Sequence, residues 1–395
     1  MTDLFQLGGT DIKRRVARLN ARDWRWLPAL ADDVLQAAIT IQQIPAPTFD
    51  EGERAAAIAA RFRQLGLESV IQDDLHNVFG RLPGSTRAPG LMIVAHLDTV
   101  FPKDADLRIK RVNGLVRGPG IGDNSLGVAG MLGLAQTIID RQIAPQCDIW
   151  FVATSREEGL GDLGGMRAVF ERLAPQVAMV LNLEGMAFGH VYHAGIAVRR
   201  LHITARTEGG HSWAHYGRPS AVHSIMRLGA QITGITPSTR PRTTYNIGVV
   251  EGGQSINTIA SSASMWLDLR SEERGALEAF ESEVRQYIDQ ARQEGITLEV
   301  EVVGDRPAGG IPAEHALVQT ALSALDQVGV RGTLATGSTD GNVSLAAGCP
   351  TITLGVTRGG NAHRLDEYIE VAPIADGMRQ LLLVTLALLD NCGGP

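Results

Sequence analysis

The run LMIVA at residues 91–95 carries no polar side chain at any position. Successive side chains of a strand point to opposite faces, so a strand with one wet face alternates apolar and polar residues. A run that is apolar throughout is a strand covered on both faces, the pattern of a parallel sheet between helical layers. The same pattern returns in CDIWFVATS (147–155) and VAMVLNL (177–183). Helical segments surround these strands. Residues 28–65 read as two helices parted by a proline-rich turn, the Gly-rich loop GPGIGDNSLG leads into a third, and a further helix covers 163–174. Alternating strands and helices predict a mostly parallel sheet with helices on both faces.

The rhythm changes near residue 194. A strand at 197–207, a helix at 219–235, strands at 243–251 and 263–271, a helix at 273–293 and a strand at 296–303 form a βαββαβ unit of α+β type. After Pro307 the earlier rhythm resumes, with a helix at 313–328, the strand TITLG and a last apolar helix. The expected architecture is an α/β domain of residues 1–193 and 306–395, interrupted by an inserted α+β domain of residues 194–305.

Composition narrows the function. A net charge of −7 leaves no basic footprint for nucleic acid. The segment LLLVTLALL (381–389) falls well short of the roughly 20 apolar residues that span a bilayer. The N-terminal MTDLFQLGG has no apolar core of a secretory signal. Cys147, Cys349 and Cys392 are few and far apart, which predicts free thiols in a reducing, cytoplasmic setting.

Ligands of open α/β sheets bind beyond the carboxyl ends of the strands. The chain places polar residues there. His96 and Asp98 close the LMIVA strand, Glu157 and Glu158 follow IWFVATS, and Glu184 follows VAMVLNL. Asp123 lies in the Gly-rich loop and His363 in the loop after TITLG. Taken singly, each has a bland reading, such as a satisfied core histidine or a solvated acid. Together, two histidines and three carboxylates suit a pair of divalent ions, zinc first and Co2+ or Mn2+ as alternatives. One carboxylate can bridge ions about 3.5–4 Å apart, and a fourth acid is then free to act as a base. With a metal on one nitrogen of His96, Asp98 can accept from the other.

The order of "AHLDTVFP", "GPGIGDNSLG", "TSREEGLGDLGG", "NLEG", "GGHSW", "INTIASSASMWLDLR", "TGSTDGN" and "NAHRLDEYI" resembles the co-catalytic zinc peptidases and amidohydrolases. That family includes aminoacylase, acetylornithine deacetylase, succinyl-diaminopimelate desuccinylase, bacterial glutamate carboxypeptidase and peptidase T-like enzymes. The resemblance runs from about residue 30 to 390. It implies that His96, Asp123 and Glu184 hold one zinc, and that Asp123, Glu158 and His363 hold the other, with Asp123 bridging. Glu157 would be the general base, and Asp98 would orient His96. The inserted domain would be a lid that also makes a homodimer. Its His211 would polarise the scissile carbonyl, and Asn257, Arg270 and Arg306 would contact substrate. From chemistry alone, Arg270 in a strand could simply pair with an acid.

The implied reaction is hydrolysis of an amide bond in a small peptide or N-acyl amino acid. A glutamate at position 184 matches the carboxypeptidases and deacylases of the family. The segment GGHSWAHYG is closer to peptidase T-like sequences, which keeps a di- or tripeptide aminopeptidase as the alternative. A non-catalytic scaffold is a third reading, and it predicts a broken ligand set. The sequence departs from many relatives at DNSLG and at Ala260 of NTIAS, neither of which supplies a ligand.

Overall fold

The computed structural model describes residues 9–389. It divides into two compact units: one runs to Gly195 and resumes at Gly309, and the other is Ile196–Ala308.

In the first unit, Gly90–His96 lies parallel to Ile149–Thr154 on one side and to Val177–Leu183 on the other. Thr351–Leu354 adds a fourth parallel strand beside Val177–Leu183. Antiparallel Val78–Leu82 and then Glu68–Gln72 extend one edge. His190–Gly195 extends the other, pairing antiparallel with Thr351–Leu354 and parallel with Thr333–Gly337.

The uninterrupted apolar run follows from this position. Leu91, Ile93 and Ala95 enter a core with residues of the helices Leu27–Gln42, Gly127–Asp140 and Ile374–Leu389. Met92 and Val94 enter a separate core with Met166, Val169, Phe170 and Leu173 of the helix Gly164–Leu173. All five strand residues are 0% exposed. The four parallel strands end on the same side, and the sequence then turns polar.

The second unit is a four-stranded antiparallel sheet in the order Thr243–Gly252, Ser262–Ser271, Ala197–Arg206, Thr297–Arg306. Leu201, Ile203, Met265 and Leu267 alternate inward. They share a core with Ile225 and Leu228 of the helix Ala221–Thr233 and with Leu277 and Val284 of the helix Arg274–Gln290.

Several elements were not anticipated. They include the helix Gly9–Asn20, the short helix Gly341–Ala346, and a small sheet of Lys110–Val112, Leu115–Arg117, Gly359–Gly360 and Tyr368–Glu370. The expectation of three free thiols is corrected. Cys147 is disulfide-bonded and fully buried, Cys349 is free, and Cys392 lies outside the described residues. Spacing along the chain did not reveal this, because a bond needs only proximity in space. The cysteine argument for a reducing compartment falls with it. Among the described residues no helix is long and apolar enough to cross a membrane.

The last helix packs backbone to backbone at Gly377, where an added Cβ would lie 1.8 Å from the Val356 carbonyl oxygen. Alanine normally gains about 1 kcal/mol over glycine inside a helix. Here overpacking of about 1–3 kcal/mol or more should outweigh that gain. Gly377→Ala is expected to lower the thermal midpoint, and an unchanged or higher midpoint would contradict the close approach.

Candidate metal centre

Two candidate ligands of the first unit sit at strand ends and the others in the turns and loops beyond them. His96 is the last residue of its strand and Glu184 directly follows Val177–Leu183. Glu157 and Glu158 come just after Ile149–Thr154, on a turn that includes Arg156 at φ 55°. Asp123 belongs to an irregular turn over Ile121–Leu126, entered through Gly120 at φ 71°. Its own φ and ψ of −112° and 89° interrupt the helical path, which lifts its side chain off the helix that follows. His363, at φ 65°, sits in a loop with a half-exposed ring.

The side chains converge. His96 Nε2 is 3.1 Å from Asp123 Oδ1 and 3.6 Å from Glu184 Oε2. His363 Nε2 is 3.1 Å from Asp123 Oδ2 and 3.1 Å from Glu158 Oε1. The two oxygens of Asp123 therefore face two different imidazoles. Ligand atoms of His96, Asp123 and Glu184 lie within 4.8 Å of one another, as do those of Asp123, Glu158 and His363. Glu157 joins His96 and Glu158 in a third group of that span.

The electrostatics suit cations. Burial pushes the Glu158 carboxyl up to about 7, against the His363 hydrogen bond that would lower it. Burial likewise raises Glu184, against the opposing charge of His96. Burial alone would lower His96, but the charge of Glu184 and the bond to Asp123 lift it well above its usual value. The His363 ring is raised to about 10 by its bonds to Asp123 and Glu158. Clustered carboxylates thus draw positive charge onto both rings, and divalent cations would supply it directly. His96, Asp123, Glu184, Glu158 and His363 are a donor set of the kind such ions take, imidazole nitrogens and carboxylate oxygens.

Asp98 does more than was expected of it, and differently. The His96 Nδ1–H donates to the Asp98 backbone carbonyl at 3.0 Å, while the Asp98 carboxylate stands 3.6 Å from that nitrogen. In the neutral ring this assigns the proton to Nδ1 and turns Nε2 toward the acids. The carboxylate itself accepts the Glu157 N–H and the Glu158 N–H, each at 2.9 Å, and the Thr48 hydroxyl at 2.9 Å. Burial would raise its pKa, but the His96 and backbone donors hold it below the usual value.

Several buried groups around the site were not legible in the sequence. Asp340 is fully buried, accepts from the Thr154 hydroxyl at 2.5 Å, and is raised well above the usual carboxylate range by burial and then by the Glu157 charge. Arg54 is buried beneath the Asp98 turn and donates to the carbonyls of Leu97 at 2.7 Å and Ile44 at 2.6 Å. Glu367 is buried beside Asp123. Nothing in a single sequence separates these acids and this arginine from surface residues.

The remaining candidates belong to the second unit. His211 is exposed, and its Nδ1 accepts from the N–H groups of Trp213 at 3.2 Å and Ala214 at 3.4 Å. The ring proton of the neutral form is therefore on Nε2. The His211 N–H donates to His215 Nδ1 at 3.0 Å, so His215 supports the turn. Asn257 is exposed and accepts from the Ser255 hydroxyl at 2.8 Å. Arg270 pairs with Asp268 at 2.6 Å, and Arg306 is buried at the end of its strand.

Residues 92–386 match the family model described as Peptidase family M20/M25/M40. The chain belongs to this family. The Peptidase family M20/M25/M40 match spans all five candidate ligands and Glu157. A probable carboxypeptidase of Aspergillus terreus (strain NIH 2624 / FGSC A1156) is 28% identical over 218 residues, covering 48% of this chain and 47% of that protein. The chain spans about half the length of the curated relatives it matches. A tripeptidase from Staphylococcus aureus subsp. aureus mu50 is similar in structure with a TM-score of 0.75 at 20% identity, over 91% of this chain and 98% of that one. The YXEP protein of Bacillus subtilis, described as a dinuclear metal binding peptidase, gives a TM-score of 0.66 at 16% identity, over 92% and 99%. At such identities the structural likeness establishes the fold.

Asp98→Asn keeps the side-chain shape but sets an amide N–H2 against a backbone N–H. Leaving a buried donor unmatched costs about 1–3 kcal/mol on top of the lost charge-assisted bonds to Glu157 and Glu158, whereas Thr48→Val removes a single donor and leaves the carboxylate both backbone partners. In thermal unfolding without added metal, Asp98→Asn is expected to lower stability more than Thr48→Val. The reverse order would remove Asp98 as the anchor of the 156–158 turn.

Proposed function

We propose that the chain is a metal-dependent hydrolase that cleaves an amide bond of a small peptide or N-acyl amino acid, in the manner of a carboxypeptidase or deacylase. The observation that carries this reading is Asp123, whose two carboxylate oxygens each stand 3.1 Å from a different imidazole Nε2. His96, Asp123 and Glu184 would hold one divalent ion and Asp123, Glu158 and His363 a second, with zinc favoured and Co2+ or Mn2+ as alternatives. Bound there, such ions supply Lewis acidity, polarising the scissile carbonyl and lowering the pKa of a water molecule.

The protein's own groups do the rest. Glu157 takes a proton from the attacking water as its oxygen bonds to the carbonyl carbon. It returns that proton to the nitrogen as the C–N bond breaks. His211 offers its Nε2–H to the developing oxyanion. Arg270, Arg306 and Asn257 bind the polar ends of the substrate, arginine being suited to a carboxylate. Ile196–Ala308 serves as the lid and as the contact of a homodimer, through which His211 reaches the site. The probable carboxypeptidase among the relatives supports cleavage beside a free carboxylate. The tripeptidase of similar fold supports the alternative, a peptidase T-like di- or tripeptide aminopeptidase.

A panel of N-acyl amino acids, dipeptides and tripeptides separates these readings, because only the aminopeptidase requires a free substrate amine. Glu157→Ala is expected to retain two equivalents of zinc and to lose about 10²–10⁴ in kcat, the usual contribution of a general base. Near-normal turnover would remove Glu157 from that role. His211→Ala is expected to cut kcat by about 10²–10³ with metal content unchanged. Unaltered kinetics would exclude an oxyanion donor at His211. Less than half an equivalent of bound metal in the zinc-reconstituted wild type would point to a scaffold.

A further inference from the structure

The loops that carry Asp123 and His363 meet on a carboxylate with no place in the reaction above. Glu367 lies four residues after His363 and is 0% exposed. Its Oε1 accepts the Gly122 N–H at 2.7 Å and the Asp123 N–H at 2.9 Å. Its Oε2 accepts the Gly120 N–H at 3.3 Å, and its backbone carbonyl accepts the Gly118 N–H at 2.9 Å. Four bonds thus lace residues 118–123 to one residue of the other loop. The glycines allow it: Gly120 adopts φ 71°, and a Cβ on Gly122 would meet Met186 at 2.5 Å.

The two candidate metal positions do not depend on Glu367 equally. His96 and Glu184 are fixed at the ends of parallel strands. At the other position, Asp123 is pinned through its N–H by Glu367, and His363 is carried by the same short segment as Glu367. Glu158 is the one donor there that is anchored separately, through Asp98.

We infer that Glu367 is a positioning residue that holds the bridging carboxylate of Asp123 and the ring of His363 as one piece, and so governs the affinity of the Asp123–Glu158–His363 position more than that of the Asp123–His96–Glu184 position. This rests on the two-metal reading above. Glu367→Gln tests it. The amide oxygen can still accept from Gly122 and Asp123, but the amide N–H2 then faces the Gly120 N–H, donor against donor.

Zn2+ is titrated calorimetrically into metal-stripped wild type and variant, with Co2+ absorption as the spectroscopic readout and far-UV circular dichroism as the fold control. Wild type should take two equivalents. Glu367→Gln should bind the first within about threefold of wild type and the second about 10–100-fold more weakly, the usual effect of losing a group that orients a metal ligand. Its second-equivalent Co2+ spectrum should change, and its hydrolysis should recover at saturating zinc. Equal weakening of both equivalents, or of neither, overturns the inference while the two-metal reading stands. Fewer than two equivalents in wild type overturns both. Glu367→Asp, which keeps the charge at shorter reach, should give the same asymmetry and replaces the amide variant if that one does not fold.

Discussion

Asp123, Glu157, Glu158 and Glu184 crowd around two imidazoles at the end of a dry sheet, and that end of the fold is built to hold them there. Two unit charges 4 Å apart near a protein surface interact by about 4 kcal/mol. Burial lifts Glu158 to about 7, with the Glu157 and Asp123 charges adding to it, and hydrogen bonds to Asp123 and Glu158 lift His363 to about 10. The protein therefore stores a demand for positive charge at fixed points. The sheet fixes the points at His96 and Glu184, since five side chains of Gly90–His96 are wholly buried between two helical layers and Glu184 directly follows the neighbouring strand.

Asp98 connects that charge cluster to the sheet. Its carbonyl holds the Nδ1 side of His96, and its carboxylate holds the backbone of Glu157 and Glu158. One residue thereby sets the ring of a candidate ligand, the position of another ligand and the position of the candidate base. A histidine and an aspartate two apart were expected to meet side chain to side chain. The observed division of labour is tighter, because backbone N–H groups have fixed directions and a buried carboxylate can accept several of them.

The legible part of the chain was the part whose residue pattern is dictated locally. LMIVA must be covered on both faces, and the strands of Ile196–Ala308 must alternate, because side-chain direction in a strand follows position alone. Polar residues just beyond apolar runs were visible for the same reason. Glu367, Asp340 and Arg54 were not. Each is charged and buried, a combination that depends on partners far away in sequence, such as Gly120 and Gly122 for Glu367. The disulfide at Cys147 belongs to the same class. The Gly9–Asn20 helix escaped notice for a different reason: its many charged residues masked an apolar stripe of Ile12, Val16 and Leu19.

For Arg270 the sequence left two readings open, a structural ion pair and a contact to a substrate carboxylate. The pair exists, with Arg270 Nε 2.6 Å from Asp268 Oδ2. It does not dispose of the second reading. The bond to Asp268 engages Nε, and the side chain remains 40% exposed. A guanidinium carries five donors in a rigid fork, so an anchor on one edge leaves others to present. Asp268 is itself held on its other oxygen by Arg200 at 3.0 Å, which stiffens the arrangement further. An arginine already held in one rotamer loses less freedom when it takes up a carboxylate than a loose one would. Under the proposed function, the structural pair prepares Arg270 for substrate.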